Sequence, residues 1–376
     1  MTNKLLIINF LLIFISCTGQ INSRNHAQNS ILNGADRIEE IKDIVGNKRI
    51  GLIINQTSLL IDGSHLLDVM LDNGLNVKKI FAPEHGFRDL ADAGAHVKNS
   101  IDSKTGIPIV SLYGKNRKPT AGQLANVDIL IFDIQDVGTR FYTYISTMHY
   151  AMEAAAENGK EFLVLDRPNP NDFVDGPMLR KSFESFVGVH SIPLLHGLTV
   201  GELALMINSE GWIETGKNSC NLKIIEIQNW KHGDDYTLPV KPSPNLPNQQ
   251  SVRLYPSLCF FEGTTISVGR GTEYPFTVIG SPDRKYGDFT FKPSSLPGFT
   301  TNPPYKDKTC YGKDLRKEEF AGGLSLKYVI EFFIKSGRDT TSFFGKRARH
   351  FDLLAGTDEL RKQIVAGLTE EQIRHS

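Results

Sequence analysis

Short apolar runs alternate with helical stretches through the first half of this 376-residue chain. The runs are rich in Ile, Val and Leu and lack a polar-apolar alternation, which is typical of strands buried on both faces of a sheet. Between them lie stretches with helical spacing. The pattern predicts a parallel sheet with helices on both sides, an α/β domain of Rossmann-like architecture. The predicted strands are residues 49–54, 77–81, 107–112, 127–132 and 161–165, and the main helices are 65–73 and 143–157.

The dinucleotide fingerprint of that architecture is missing. No Gly-x-Gly-x-x-Gly follows the first strand, where the chain reads Asn-Gln-Thr-Ser at residues 55–58. Polar side chains there do not provide the bare backbone cradle that a pyrophosphate needs. We therefore expect a Rossmann-like sheet without a dinucleotide and without a cofactor, and a nucleotide-dependent enzyme is disfavoured.

The chain changes character after residue 193. Thr199, with Glu202 three residues later, forms a capping box that predicts the start of a helix. We place the domain boundary near residues 185–195, which gives a Rossmann-like domain at 36–190 and a smaller α+β domain at 191–376. The elements predicted beyond this boundary are a helix at 199–211, a strand at 222–227, a long loop-rich region at 234–304 and helices at 324–335 and 357–366.

The first residues resemble an export signal. Lys4 precedes an apolar run at 5–15, which is too short to span a bilayer as a permanent helix. The run leads into Phe-Ile-Ser-Cys, which is similar to a bacterial lipoprotein box with Cys17 as the lipidated residue. We expect residues 1–17 to be a lipoprotein-type signal and 18–35 a flexible tether, with the protein in the cell envelope or periplasm. Ordinary signal cleavage nearby is the alternative.

Charge and cysteine content exclude several classes of function. Lysine plus arginine equals aspartate plus glutamate at 42 each, so no net field attracts nucleic acid or an acidic membrane surface. Membrane contact is expected through the lipid anchor alone. Cys220, Cys259 and Cys310 lack the spacing of a zinc site, and we expect buried thiols, with one disulfide as the alternative. No Gly-x-Ser-x-Gly motif is present, so a serine nucleophile is not expected, and no histidine pair has the spacing of a helical zinc site, so no metal is expected.

Polar residues follow four of the predicted strands. The carboxyl ends of parallel strands meet at one edge of a sheet, which is where open α/β sheets bind ligands. Carboxylates and amides beside aromatic residues suit a sugar, although Asn and Asp also bind loop backbone. The candidates at this edge are Asn55, Gln56, Glu84, His85, Arg88, Asp133, Gln135, Asp136, Arg140, Tyr142, Asp166 and Arg167.

Residues 81–88 contain three of these candidates, a carboxylate, an imidazole and a guanidinium, within five positions. Pro83 removes a backbone donor and Gly86 permits a tight bend, so the strand should end and present Glu84. An ion pair between Glu84 and Arg88 on a surface loop is the alternative.

The second domain contributes two further segments. Residues 242–247, Pro-Ser-Pro-Asn-Leu-Pro, include Asn245 and read equally well as a rigid connector or a lid. Glu262 precedes a loop in which Arg270 stands between two glycines, a setting that suits either an anion contact or a flexible turn.

Several motifs together resemble the NamZ family of exo-β-N-acetylmuramidases. The resemblance runs in order from about residue 51 to the end of the chain. The matching segments are Gly-Leu-Ile-Ile-Asn-Gln-Thr-Ser at 51–58, Phe-Ala-Pro-Glu-His-Gly-Phe-Arg at 81–88, Ser-Leu-Tyr-Gly at 111–114, Phe-Asp-Ile-Gln-Asp-Val-Gly-Thr-Arg-Phe-Tyr-Thr-Tyr at 132–144, Leu-Asp-Arg-Pro-Asn-Pro at 165–170, 242–247 and Phe-Glu-Gly-Thr-Thr-Ile-Ser-Val-Gly-Arg-Gly-Thr at 261–272.

This resemblance implies removal of N-acetylmuramic acid from the non-reducing end of peptidoglycan fragments, in a cleft between the two domains. The glutamate of its Pro-Glu-His-Gly motif is Glu84, which becomes the expected catalytic acid. Asp133, Asp136 and Glu262 are candidate second carboxylates. Arg140 or Arg270 is expected to pair with the lactyl carboxylate of muramic acid.

Two further expectations follow. A non-catalytic envelope protein that binds peptidoglycan fragments in the same cleft is the alternative function. The family also has a short segment after its Glu-x-Ile-Arg pattern, whereas this sequence stops at Ser376, so part of the second domain is expected to be uncovered.

Overall fold

The computed structural model describes residues 30–84, 86, 87, 100–214, 216, 219–320 and 322–376. Within these residues, a seven-stranded sheet forms the centre of the molecule. Strand β3 pairs antiparallel with β4, and the other pairings are parallel. The Rossmann-like α/β prediction is confirmed. The order across the sheet is β3 (Ser100–Ile101), β4 (Pro108–Ser111), β2 (Val77–Ala82), β1 (Ile50–Ile54), β5 (Ile129–Asp133), β6 (Glu161–Leu165) and β9 (Asn221–Ile225).

Both faces of this sheet are covered, which explains the unbroken apolar runs in the sequence. Ile53 and Phe132 pack into the core on one face. Leu52 and Ile131, their neighbours along β1 and β5, pack into the core on the other. The helices of this part of the chain are α1 (Ile38–Val45), α2 (Leu66–Asp72), α3 (Ala121–Leu124), α4 (Tyr144–Glu157) and α5 (Val200–Ser209), with a short antiparallel pair of strands β7 (Val174–Asp175) and β8 (Leu195–His196).

The rest of the chain builds a smaller α+β layer. In its described part, β10 and β11 both pair antiparallel with the central β12. The elements are α6 (Gln249–Leu258), β10 (Val278–Ser281), β11 (Phe289–Phe291), β12 (Cys310–Asp314), α7 (Lys327–Lys335), α8 (Thr340–Phe344), α9 (Ala348–Ala355), α10 (Glu359–Val365) and α11 (Glu370–Arg374).

Helix α6 lies inside the region predicted to be loop-rich. Pro256 stands within it and lacks the N–H that would bond the Val252 carbonyl, which made a helix hard to predict. The Asn171 side chain supplies the missing partner, because its Nδ2 donates to the Val252 carbonyl at 3.1 Å. Asn248 caps the helix, accepting from the Ser251 N–H. A residue from another loop therefore compensates for the proline.

Two predicted boundaries differ from the structure. Strand β9 pairs with β6 in the large sheet, so the sheet extends beyond the boundary predicted near residues 185–195. Residues 30–35, predicted as part of the flexible tether, pack on the fold: the Leu32 N–H donates to the Gln228 carbonyl at 3.0 Å, and Ala35 is fully buried. Apolar burial next to β9 orders this segment. The predicted signal segment, with Cys17, lies outside the described residues.

The described cysteines, Cys220, Cys259 and Cys310, are buried free thiols, as expected from their spacing. Among the described helices, none has both the length and the hydrophobicity to cross a bilayer.

Candidate active site

A cleft of about 390 Å³ opens at the carboxyl end of β2. Its volume is in the range of small-molecule sites. Residues from distant parts of the chain line it, and five of them were predicted from the sequence. These five are Glu84, Tyr142, Asn245, Glu262 and Arg270.

Glu84 enters the cleft from a turn that ends β2. The Gly86 N–H donates to the Pro83 carbonyl at 3.2 Å, and Gly86 has a φ of 82°, which favours glycine. The Tyr113 hydroxyl hydrogen-bonds to the Glu84 carboxylate, and burial together with that negative charge raises the pKa of Tyr113 to about 12. Tyr113 therefore remains a neutral hydrogen-bond donor beside Glu84. The neighbouring candidates His85 and Arg88 lie outside the described residues.

Glu262 and Arg270 form an ion pair in the same cleft. Arg270 Nε donates to Glu262 Oε1 at 2.6 Å, and the guanidinium lies 5.2 Å from the centre of the Phe276 ring. Gly269 and Gly271 on either side have φ values of 77° and 82°, so the loop needs glycine at both positions. The positive charge of Arg270 is thus balanced within the protein.

Aromatic side chains form a wall of the cleft. The rings of Tyr142 and Tyr255 are 5.9 Å apart, and those of Tyr255 and Phe276 are 5.0 Å apart, both edge to face. The Tyr142 hydroxyl donates to the Pro242 carbonyl at 3.0 Å, and Gln56 Nε2 donates to the same oxygen at 3.1 Å. Gln56 therefore anchors the proline-rich segment, and this segment places Asn245 on the cleft.

Asp133 and Arg167 are not part of the cleft lining. Both side chains are almost completely buried, and Arg167 Nε lies 2.6 Å from Asp133 Oδ1. Arg167 also donates to the Leu59 carbonyl at 3.0 Å. Asp133 was predicted to be catalytic and Arg167 to bind substrate. The structure pairs them with each other instead, because Asp133 ends β5, Arg167 follows the adjacent β6, and both side chains face inward.

Arg140, a predicted reader of the lactyl carboxylate, is also buried away from the cleft. Among the described residues, its guanidinium donates only to backbone carbonyls, those of Pro177 and Ile192 at 2.7 Å, Ala355 at 2.7 Å and Leu354 at 3.2 Å. These contacts join the first domain to α9. A guanidinium enclosed in this way is positioned to hold the fold together, not to meet a ligand.

Asp166 caps helix α5 instead of facing the cleft. It accepts hydrogen bonds from the Thr199 hydroxyl and the Gly201 N–H, each at 2.8 Å. Burial raises the pKa of Asp166 to about 6. The Gly201 N–H has no partner within the helix, so an acceptor oxygen at this position satisfies a donor at the start of α5.

The remaining candidates join neighbouring loops. Asn55 Oδ1 accepts from the Thr57 N–H at 2.8 Å, and Gln135 Nε2 donates to the Pro168 carbonyl at 2.8 Å. Asp136 Oδ2 accepts from the Gly138 N–H at 2.7 Å and lies 3.5 Å from His196 Nε2. Asn55, Gln135 and Asp136 are buried and do not line the cleft. Loop geometry accounts for these polar residues.

Two family models match consecutive parts of the chain. Their descriptions are exo-β-N-acetylmuramidase NamZ, N-terminal, over residues 50–250, and exo-β-N-acetylmuramidase NamZ, C-terminal, over residues 253–376. The chain belongs to the NamZ family. The resemblance seen in the sequence motifs is confirmed.

Relatives of known sequence and structure agree with this membership. The chain is 41% identical over 362 residues to the peptidoglycan β-N-acetylmuramidase NamZ of Bacillus subtilis strain 168, covering 90% of this chain and 85% of that protein. Two crystal structures of DUF1343 family proteins from Bacteroides fragilis share the fold. One has a TM-score of 0.83 at 43% identity and the other a TM-score of 0.79 at 31% identity, and each covers 92% of this chain and 94% of its own.

Several cleft residues of this NamZ family chain were not predicted. Tyr113 and Arg117 lie in and just after the family motif at 111–114, so the motif itself was an available signal. Tyr255 and His350 also line the cleft. They come from α6 and α9, where no local pattern distinguishes a residue facing the cleft from one facing the core. Among the described residues, no group of three or more His, Cys, Asp or Glu side chains is arranged to hold a metal ion.

Proposed function

We propose that this chain is an exo-acting glycoside hydrolase that releases N-acetylmuramic acid from the non-reducing end of peptidoglycan fragments. The observation that carries the proposal is that Glu84 and Glu262, from the two halves of the chain, line one cleft. Glycosidases commonly use two such carboxyl groups. The name of the Bacillus subtilis relative, a peptidoglycan β-N-acetylmuramidase, supports the same substrate class.

In this proposal Glu84 protonates the leaving glycosidic oxygen. It is one of the cleft's acidic residues, and the Tyr113 hydroxyl orients its carboxyl group by a hydrogen bond. Of the three described candidates for the second carboxylate, Glu262 is the one that lines the cleft. Arg270 fixes the orientation of Glu262 through the contact at 2.6 Å. The cleft thus holds the two carboxyl groups that hydrolysis of a glycosidic bond commonly uses.

The aromatic wall supports a sugar as the ligand. Tyr142, Tyr255 and Phe276 present apolar ring surface. Pyranose rings bind such surfaces through their C–H faces, while their hydroxyl groups need planar polar partners such as Asn245. The cleft offers both kinds of group side by side, as a saccharide site requires.

The test is product release from a disaccharide with N-acetylmuramic acid at its non-reducing end. The wild-type protein should release free N-acetylmuramic acid steadily, and Glu84→Gln should reduce this rate by at least about a hundredfold. Glu210→Gln, at an exposed glutamate outside the cleft, is the matched control and should keep full activity. A protein that binds the disaccharide without releasing sugar would be the non-catalytic envelope protein, and an active Glu84→Gln variant would remove Glu84 from the mechanism.

We also propose that the protein acts in the cell envelope, anchored through Cys17. The apolar run at 5–15 and the cysteine that follows it support this location. The protein should appear in the membrane fraction, and Cys17→Ser should move it to the soluble envelope fraction. Recovery of both forms from the cytoplasm would rule out the proposal.

A further inference from the structure

The proposed substrate carries a negative charge that the cleft must accommodate. N-acetylmuramic acid differs from N-acetylglucosamine by a lactyl ether that ends in a carboxylate. A planar guanidinium is the group best suited to bind a carboxylate through two hydrogen bonds. The inference below rests on the proposed function and concerns which arginine provides that group.

Arg140 and Arg270, the two arginines expected from the sequence to bind the lactyl carboxylate, already have partners within the protein. Arg140 is fully buried and donates to four backbone carbonyls, so its guanidinium has no face toward the cleft. Arg270 lines the cleft, but Glu262 lies 2.6 Å from its Nε and balances its charge. A ligand carboxylate that approached Arg270 would face the negative charge of Glu262 at the same time.

Arg117 is placed differently. It lines the cleft on the loop that follows β4, and its side chain is exposed. Its guanidinium lies 4.3 Å from the centre of the Phe186 ring. Within the described part of the chain, no carboxylate forms an ion pair with Arg117. This cation–π contact holds the guanidinium in the cleft, and its N–H groups can still bind a ligand.

The position of Arg117 relative to the proposed acid fits this role. Tyr113, which bonds Glu84, lies four residues before Arg117 and within reach of its charge, because Arg117 opposes the rise in the pKa of Tyr113. The loop therefore places a hydrogen-bond donor for the acid and a guanidinium for an anion side by side. In muramic acid, the lactyl group and the glycosidic bond belong to the same sugar ring, so both contacts can be made at once.

We propose that Arg117, stacked on Phe186, binds the lactyl carboxylate and gives the cleft its preference for muramic acid over N-acetylglucosamine. Phe186 is the positioning residue of this pair. The pairing adds a favourable charged contact without the internal competitor that Arg270 has in Glu262.

The experiment measures binding, so that it does not depend on turnover. Calorimetry would compare N-acetylmuramic acid with its lactyl amide, which keeps the shape and removes the charge. Arg117→Gln should weaken binding of the acid by roughly ten- to hundredfold, the range for a hydrogen bond to a charged group, and should change binding of the amide little. Arg284→Gln is the matched control, because Arg284 is also exposed and lies 4.8 Å from the centre of an aromatic ring, that of Tyr311, away from the cleft.

Equal weakening of the acid and the amide by Arg117→Gln, or no effect on either, overturns the assignment. So does a wild-type protein that fails to distinguish the two compounds or binds neither. A wild-type protein that prefers the acid through Arg117 but releases no sugar from the disaccharide supports the assignment and overturns the hydrolase. Phe186→Leu should shift the acid preference in the same direction as Arg117→Gln but less far, whereas a preference that stays at the wild-type value removes Phe186 from the proposal.

Discussion

Arg167 binds both carboxylate oxygens of Asp133 in the interior of the protein, with Nε 2.6 Å from Oδ1 and Nη2 3.0 Å from Oδ2. Asp133 ends β5, and Arg167 follows β6, the neighbouring strand. The pair thus ties the ends of two neighbouring strands together. Its geometry is that of a bidentate carboxylate contact with both groups removed from water.

Breaking this pair should be costly. Arg167→Met leaves the Asp133 charge buried without its partner and should lower the free energy of unfolding by about 3–5 kcal/mol. Denaturant titration measures the loss. Arg49→Met is the matched control: Arg49 makes a two-point contact with Asp128 at 2.7 and 2.9 Å, but both side chains are more than a third exposed, so the loss should be much smaller than that of Arg167→Met. If the two variants lose the same free energy of unfolding, burial does not strengthen the contact between Arg167 and Asp133.

The cap at Asp166 predicts a pH dependence. Its folded pKa of about 6 lies above the ordinary value of 3.8, so the associated stability is present below pH 3.8 and is lost as pH rises through about 6. Asp166→Asn keeps one acceptor oxygen and removes this titration. Relative to wild type, the variant should gain as much as about 3 kcal/mol between pH 4 and pH 7.

Unfolding midpoints of both proteins at the two pH values check this. Asp128→Asn should show the opposite trend, because Arg49 holds the pKa of Asp128 below its usual range and that stability is lost as pH falls. A stability difference between Asp166→Asn and wild type that stays constant with pH would contradict the raised pKa.

The sheet was predictable because a strand buried on both faces has a continuous run of apolar residues, which is visible in the local sequence. The run at 161–165 coincides with β6, and the runs at 49–54 and 127–132 shift by at most two residues. Strand β9 was found, but its sheet was not, because its alternating burial resembles an edge strand of any sheet. Pairing with β6 is decided by contacts far apart in sequence.

The site was only partly predictable for a related reason. A polar residue at a strand end can face the cleft, as Glu84 does, or bond a neighbouring loop, as Asp133 and Asp166 do. The distance in sequence between the strand and the polar residue does not separate the two cases. The outcome depends on whether a neighbouring segment offers a hydrogen-bonding partner, which the local sequence does not show. Tyr255, in a helix that contains a proline, carried no signal at all.

His232 forms a second pH-sensitive contact. Its ring nitrogens lie 2.8 Å from Asp172 Oδ1 and 2.9 Å from Glu202 Oε1, and hydrogen bonds to Glu202 and Asp172 raise its pKa to about 8. The stability from this bridge is present below pH 6.5 and is lost as pH rises through about 8. His232→Ala should therefore be destabilising at pH 6 and nearly neutral at pH 9. The ring is almost half exposed, so the difference should be below about 1 kcal/mol.

Thermal unfolding of wild type and His232→Ala across this pH range is the measurement. Asp172→Asn retains the shape of the loop and removes one of the two charges. In the Asp172→Asn background, the effect of His232→Ala on stability should therefore depend less on pH than it does in the wild-type protein. A difference that instead grows above pH 8 would show that the bridge does not depend on a charged imidazole.

Glu262 lines the cleft and is the candidate for the second catalytic carboxylate. If it is the second carboxylate, Glu262→Ala should lower kcat by about a hundredfold or more, because a general base or nucleophile is lost. Added azide, a small anion that can occupy the vacated space, should restore turnover and form a glycosyl azide. Arg270→Gln is the matched control, since it removes the same ion pair and keeps the carboxylate, and it should lower kcat much less. If Glu262→Ala and Arg270→Gln lose the same activity and azide restores neither, Glu262 serves only to hold Arg270 in place.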